Sequence, residues 1–228
     1  TKDYDGDQIL SILTDLLVNS WNEVPAALQW STYDPTTQWQ DAENNGLGEI
    51  DTPGSYELAN RGAATTNVYS LVSGLATSGL GYIYEDAQGR IGYADSIHRQ
   101  TYLAANGYTE ISANTAFGAG LKVLTRGADV RNDIYINYGN NFASQESATD
   151  LDSIETFGYR GETLNTVLKH SADAQEVADR FISLRYYPRA LFDAITFPIT
   201  NSEIDDADRD ALLGIFIGQP LRITDLPV

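Results

Sequence analysis

The apolar residues of this chain keep no single period for long, which excludes both an all-helical and an all-strand fold. Over 7–21, Ile9, Ile12, Leu13, Leu16 and Leu17 recur at the spacing of one helix face, about 3.6 residues per turn. Asp5 or Asp7 can cap that helix, and Pro25 stops it, because the residue before a proline is pushed out of the α region. A second helix is expected over 64–77, with Val68, Leu71, Val72 and Leu75 on one face. The period then shortens. Tyr82-Ile83-Tyr84 and Arg90-Ile91-Gly92-Tyr93 flank a connection with Gly89 near its end, which predicts a hairpin over 82–93.

The second half repeats this switching. Strands are expected over 121–124, 133–138, 162–168, 190–197 and 221–225, and helices over 150–157, 172–185 and 203–213. In the strand at 133–138, Ile134 and Ile136 alternate with Tyr135 and Asn137, the mark of a half-buried sheet. In the helix at 172–185, Ser171 is the expected cap, Val177, Ala178, Phe181 and Ile182 face inward, and Pro188 follows the end. Runs of strands joined by occasional helices predict an α+β fold. Turn signals crowd 30–62, at Asp34-Pro35, Asn44-Asn45-Gly46 and Thr52-Pro53-Gly54. A stretch that long is rarely structureless in a compact domain, so short strands are expected inside it. Residues 94–120 give the weakest pattern. The domain boundary is placed there, near Gly118-Ala119-Gly120, giving a mixed α/β region over 1–115 and an α+β domain over 116–228.

Charge narrows the function. The formal net charge is -18, with 14 Lys and Arg against 32 Asp and Glu. Phosphate contacts need cations, so nucleic-acid binding and docking on an anionic membrane are both disfavoured. No cysteine is present, which excludes disulfides, thiolate metal sites and cysteine nucleophiles. No apolar run approaches the ~20 residues of a membrane span, and no signal-peptide pattern is evident. A start at Thr1 and the absence of methionine fit an internal fragment or a processed product.

Candidate chemistry is sparse. His98 and His170 lie far apart with no Gly-x-Ser-x-Gly turn, so neither a hydrolase triad nor a paired-histidine metal site is expected. Asp3-Tyr4-Asp5-Gly6-Asp7 begins like a calcium loop, but Gln8 and Thr14 stand where that loop needs Gly and Glu. It reads as a turn and a helix start. Glu203, Asp205, Asp206, Asp208 and Asp210 read the same way, as acids solvating a helix N-terminus. Gly118-Ala119-Gly120 precedes a strand and lacks the Lys-Ser/Thr ending of a phosphate loop. Trp21, Trp30 and Trp39 fit core or interface packing, with a sugar-stacking platform as the alternative. No catalytic residue, cofactor or metal is expected.

Three segments carry a family resemblance: Tyr84–Asp95, Val130–Gly139 and Asp152–Arg160. The first is a hairpin. The second is an Asn-x-Ile strand. The third, Asp152-Ser153-Ile154-Glu155-Thr156-Phe157-Gly158-Tyr159-Arg160, is a Ser-Ile turn ending in Gly-x-Arg, with Phe157 where Tyr is frequent. Tyr187-Pro188-Arg189 and Gly218–Pro227 continue the order. Over residues 80–228 this resembles the minor tail and baseplate hub proteins at the tail tips of long-tailed, actinophage-like bacteriophages. The resemblance implies mostly antiparallel β-barrel or sandwich domains of tail-tube type with a few packed helices. It also implies a virion protein in a homo-oligomeric ring, a trimer, assembled in the bacterial cytoplasm beside distal tail and tape-measure proteins, with no catalytic residues. The alternative expectation is a module of a phage tail that binds cell-wall carbohydrate.

Overall fold

The computed structural model describes residues 3–23, 47–61, 66–86, 89–114, 122–125, 127–215, 217 and 219–226, side chains at 16–23 and 190–192 excepted. The fold is α+β. Among the described residues the helices are α1 (Asp5–Glu23), α2 (Val68–Ser78), α3 (His98–Asn106), α4 (Leu151–Phe157), α5 (Ser171–Arg185) and α6 (Asp206–Leu213). Its strands are β1 (Leu47–Ile50), β2 (Tyr82–Glu85), β3 (Ile91–Ala94), β4 (Thr109–Ser112), β5 (Lys122–Thr125), β6 (Asp133–Tyr138), β7 (Ser144–Thr149), β8 (Gly161–Asn165), β9 (Ala190–Ala194) and β10 (Leu221–Thr224). They form four small sheets, ordered β1-β3-β2, β4-β10, β5-β9 and β7-β6-β8. Among the described residues none of these closes into a barrel.

Contacts divide the chain into two compact units that interleave in sequence. Unit 1 comprises Thr1–His98, Tyr135–Ser147 and Thr163–Asp179; unit 2 comprises Arg99–Ile134, Ala148–Glu162 and Arg180–Val228. Compactness thus groups residues that a single cut near 115 places apart. Every passage between units falls inside a regular element: α3, β6, β7, β8 or α5.

In unit 1, helices α1 and α2 pack with the β1-β3-β2 sheet around Ile9, Leu13, Leu58, Val72, Leu75, Ala76 and Tyr93. Ile9, Ile12 and Leu13 of α1 and Val72 and Leu75 of α2 lie on the faces their periodicity marks, while the side chains of Leu16 and Leu17 lie outside the described residues. Val68 and Leu71 also lie against this cluster, and Ile83 and Ile91 bring in the hairpin. β2 and β3 pair antiparallel, Tyr82 opposite Ala94 and Glu85 opposite Ile91, while β1 joins β3 in parallel. A further buried group, Ile136, Leu168, Ala174, Val177 and Ala178, comes from β6, the segment after β8, and α5.

Asp5 does not cap α1. It sits in the first helical turn, fully buried, and accepts from the Tyr93 hydroxyl at 2.7 Å and the Tyr56 N–H at 3.2 Å. Gly54, at φ +94°, makes room for it: any Cβ there would strike the Asp5 carboxylate. Burial holds the Asp5 carboxyl above its usual range, against the opposing hydrogen bonds from Tyr93, Tyr56 and Gly6. Burial likewise raises the Tyr93 phenol, with the Asp5 charge adding to it.

In unit 2, β4 and β10 pair in parallel, Leu221 opposite Thr109 through Thr224 opposite Ser112, and β5 and β9 pair antiparallel. Ile111, Val130, Ile134, Ala148 and Ile204 are buried. Asparagine or aspartate caps three of the helices across the two units: Asn67 accepts from the Ser70 N–H at 3.0 Å, Asp150 from Ser153 at 2.7 Å and Asp205 from Asp208 at 2.7 Å, each cap contributing about 1 kcal/mol. Ser171, the expected cap of α5, is instead its first helical residue.

The folded-state rise at Asp5 fixes a pH dependence. A carboxyl held above its unfolded pKa of about 3.9 favours folding when protonated. That contribution is complete below the unfolded pKa and is lost as pH rises through the folded one. Asp5→Asn keeps an acceptor without the charge, so the variant is expected to gain stability relative to the native chain on going from pH 4 to pH 7. Asp5→Ala, which strands the Tyr56 N–H and the Tyr93 hydroxyl, is expected to lose about 2–4 kcal/mol. Urea midpoints of the three proteins at both pH values check this.

Candidate functional site

Two of the sequence motifs meet at one buried asparagine. Asn132 precedes β6 and is fully buried in unit 2. Its side-chain amide donates to the Gly158 carbonyl at 2.8 Å and to Ser153 Oγ at 3.3 Å. Its side-chain oxygen accepts from the Arg160 N–H at 2.7 Å. Its main chain donates to the Arg160 carbonyl at 3.0 Å and accepts from the Asp150 N–H at 2.9 Å. One residue thus anchors both ends of α4. Gly158, at φ +77°, makes the reversal that brings Arg160 back to Asn132.

The Tyr187-Pro188-Arg189 segment joins the same junction. Ser153 Oγ donates to the Tyr186 carbonyl at 2.5 Å, and the Arg131 N–H donates to the Arg185 carbonyl at 2.9 Å. Phe157 meets Tyr187 edge-on at 5.2 Å, and Tyr187 lies 6.5 Å from Tyr186. That contact needs a ring and no hydroxyl, so Phe157 serves in place of Tyr. The junction presents apolar surface to water: Leu151 is 74 % exposed, Tyr159 66 % and Tyr187 58 %. Among the described residues fifteen large apolar side chains are exposed, and eleven belong to unit 2. Helix α6 has no buried residue, and its Leu213 is exposed.

A second cluster lies in unit 1. Glu49 on β1 and Asp51 just after it are two residues apart, and their carboxylates converge. His98, at the start of α3 and almost fully buried, places Nδ1 2.8 Å from Asp51 Oδ2. One ligand atom from each of Glu49, Asp51 and His98 lies within 4.8 Å of the others. Asp51 also accepts from the Asp95 N–H at 2.9 Å, and Asp95 accepts from Ser55 Oγ at 2.7 Å and from the Ile97 N–H at 2.9 Å. The Tyr84 phenol is pushed up to about 12, first by burial and then by the charge of Glu49, with Asp51 contributing. Sequence spacing misses this group: Glu-x-Asp on a strand is a frequent pattern, and His98 joins it only through the β3–α3 corner.

The other histidine serves an ion-pair network. Glu57 accepts from Lys169 at 2.5 Å and from His170 Nε2 at 2.9 Å, which together hold its carboxyl down at about 2. Asp5, within the calcium-like run, is turned into the core, and Asp205 caps α6 as its acidic start suggests. An apolar cavity of about 330 Å³ lies over the unit 1 core, walled by Leu13, Val68, Val72, Ile83 and Ile91. The side chain of Trp21, and the whole of Trp30, Trp39 and Gly118-Ala119-Gly120, lie outside the described residues.

Asn132→Ala leaves the Gly158 carbonyl and the Arg160 N–H without their partner, and is expected to cost about 2–4 kcal/mol in urea unfolding. For Glu57 the sign is opposite to that of Asp5. Its depressed pKa stabilises the fold above the unfolded value of about 4.3, and the stabilisation is lost as pH falls toward 2. Glu57→Gln is therefore expected to flatten the acid limb of the stability curve over that window. No protein-family model and no curated protein sequence matches this chain.

Proposed function

We propose that this chain is a structural protein of a long-tailed bacteriophage, part of the tail-tip or baseplate hub ring around the tail axis. The observation that carries the reading is the junction at Asn132, where residues of the resembling segments interlock and present Tyr159, Tyr186 and Tyr187 to solvent. Parts of two of the segments that resemble tail-tip proteins are here tied together at one residue, beside exposed aromatic rings. The partners proposed are two further copies of the chain, with distal tail and tape-measure proteins above and below, all within the virion.

Sheet edges support the same reading. A two-stranded sheet leaves a ladder edge open on each strand, and β4-β10 and β5-β9 are both two-stranded among the described residues. Strands of neighbouring copies would complete them, and the tail-tube-like barrel or sandwich form is proposed for that assembled state. Among the described residues no helix is long and apolar enough to cross a membrane.

Imaging particles that contain the chain tests the proposal. A closed ring on the tail axis, with interfaces above ~1,000 Å² per contact, is the expected result. Monomers scattered along the tail, or particles without a tail, would overturn it. The aromatic surface has its own check. The double variant Tyr159→Ser, Tyr187→Ser removes exposed rings, so its melting temperature is expected to stay within a few degrees of the native value. Its association, followed by sedimentation, is expected to weaken at least tenfold.

A further inference from the structure

From Glu49, Asp51 and His98 we infer a binding site for one divalent transition-metal ion of the zinc class, held by two carboxylates and one imidazole. The group is more than a patch of acids. An almost fully buried imidazole faces a carboxylate at 2.8 Å, and a second carboxylate two residues along the strand converges on them. Ions that bind nitrogen and oxygen at about 2.0–2.2 Å bring their ligand atoms to about 3–3.5 Å apart. The three ligand atoms here are within 4.8 Å of one another, so a small swing of one side chain closes the set. Glu49 is the one free to swing: it is exposed and has no hydrogen-bond or ion-pair partner among the described residues.

The surroundings are arranged as metal sites require. Asp51 is oriented by the Asp95 N–H, and Asp95 is itself fixed by Ser55 and the Ile97 N–H, so the central carboxylate is held from behind. The local charge is negative enough to reach the Tyr84 phenol, whose raised pKa owes part of its rise to Glu49 and Asp51. The nearby guanidinium of Arg90 is taken by Asp86 at 2.7 Å. An imidazole in the set selects against calcium and magnesium, which prefer oxygen alone. Three protein ligands with Glu49 on the solvent side leave a fourth position for water or for a donor from another molecule. The bound ion would cross-link the end of β1 to the start of α3.

The test uses the full chain without a histidine tag and zinc, manganese or calcium chloride as the only added ligand. Calorimetry is expected to give one zinc per chain, bound at least tenfold more tightly than calcium. Glu49→Gln, at an exposed position, is expected to fold as the native protein and to weaken zinc binding about 10–100-fold. The sequence holds two histidines, so proton NMR separates them once His170→Gln removes one set of signals. Zinc is expected to shift the His98 ring signals. Absence of binding at millimolar zinc, native affinity in Glu49→Gln, or movement of the His170 signals in place of those of His98 would each overturn the assignment. The ring proposal stands or falls separately, since it predicts nothing about zinc.

Discussion

A single buried carboxylate organises unit 1. Asp5 holds the Tyr93 hydroxyl and the Tyr56 N–H, which brings the first turn of α1 to the centre of β3 across 88 residues. Burying a carboxyl in this way is costly, and its raised pKa shows that the cost is only partly offset by the hydrogen bonds. Position is what the contact provides. With Tyr93 fixed, its carbonyl accepts from the Asp51 N–H at 3.1 Å, and Asp51 in turn takes Asp95 and His98. The geometry of the His98 cluster is thus inherited from Asp5 through β3, and each link is a hydrogen bond to a group of fixed position.

Elements whose side chains alternate between water and core could be read in the sequence. The faces of α1 and α2, the 82–93 hairpin and the strand at 133–138 all follow from periodicity, because Leu13, Val72, Ile134 and Ile136 are buried where the pattern puts them. β7 could not be read. Ser144-Gln145-Glu146-Ser147-Ala148-Thr149 contains one buried apolar residue, and polar pairs hold it to β6: Gln145 to Asn137 at 2.7 Å and Thr149 to Asp133 at 2.6 Å. Those contacts run in opposite order along the two strands, as in antiparallel pairing. β1 and β4 are four residues each, too short for a period to register.

The candidate sites divide along the same line. Val130–Gly139 and Asp152–Arg160 stood out as segments, but that Asn132 binds them together depends on Gly158 turning the chain back, a contact across 26 residues. Asn132 was marked only as the first residue of an Asn-x-Ile strand, a pattern that does not say what the side chain binds. Asp5 looked like a helix cap because caps and buried acids both use aspartate at a helix start. Only the opposing surface, with Gly54 at positive φ and the Tyr93 hydroxyl, decides between them.

Charge limits how copies of such a chain can associate. Basic residues are few, and many are already committed: Arg90 to Asp86, Lys122 to Asp193, Arg131 to Glu162, Lys169 to Glu57 and Arg209 to Asp206. At -18 per copy, long-range electrostatics between copies is repulsive, screened over about 8 Å at physiological salt. Attraction must therefore be short-ranged: apolar contact, strand-edge hydrogen bonds, or a cation bound between carboxylates. In the proposed ring, exposed rings around Asn132 would supply the first, and the two-stranded sheets the second. Repulsion at a distance with attraction on contact disfavours loose, misregistered aggregates more than it disfavours one well-fitted interface, which is the balance that the proposed ring requires.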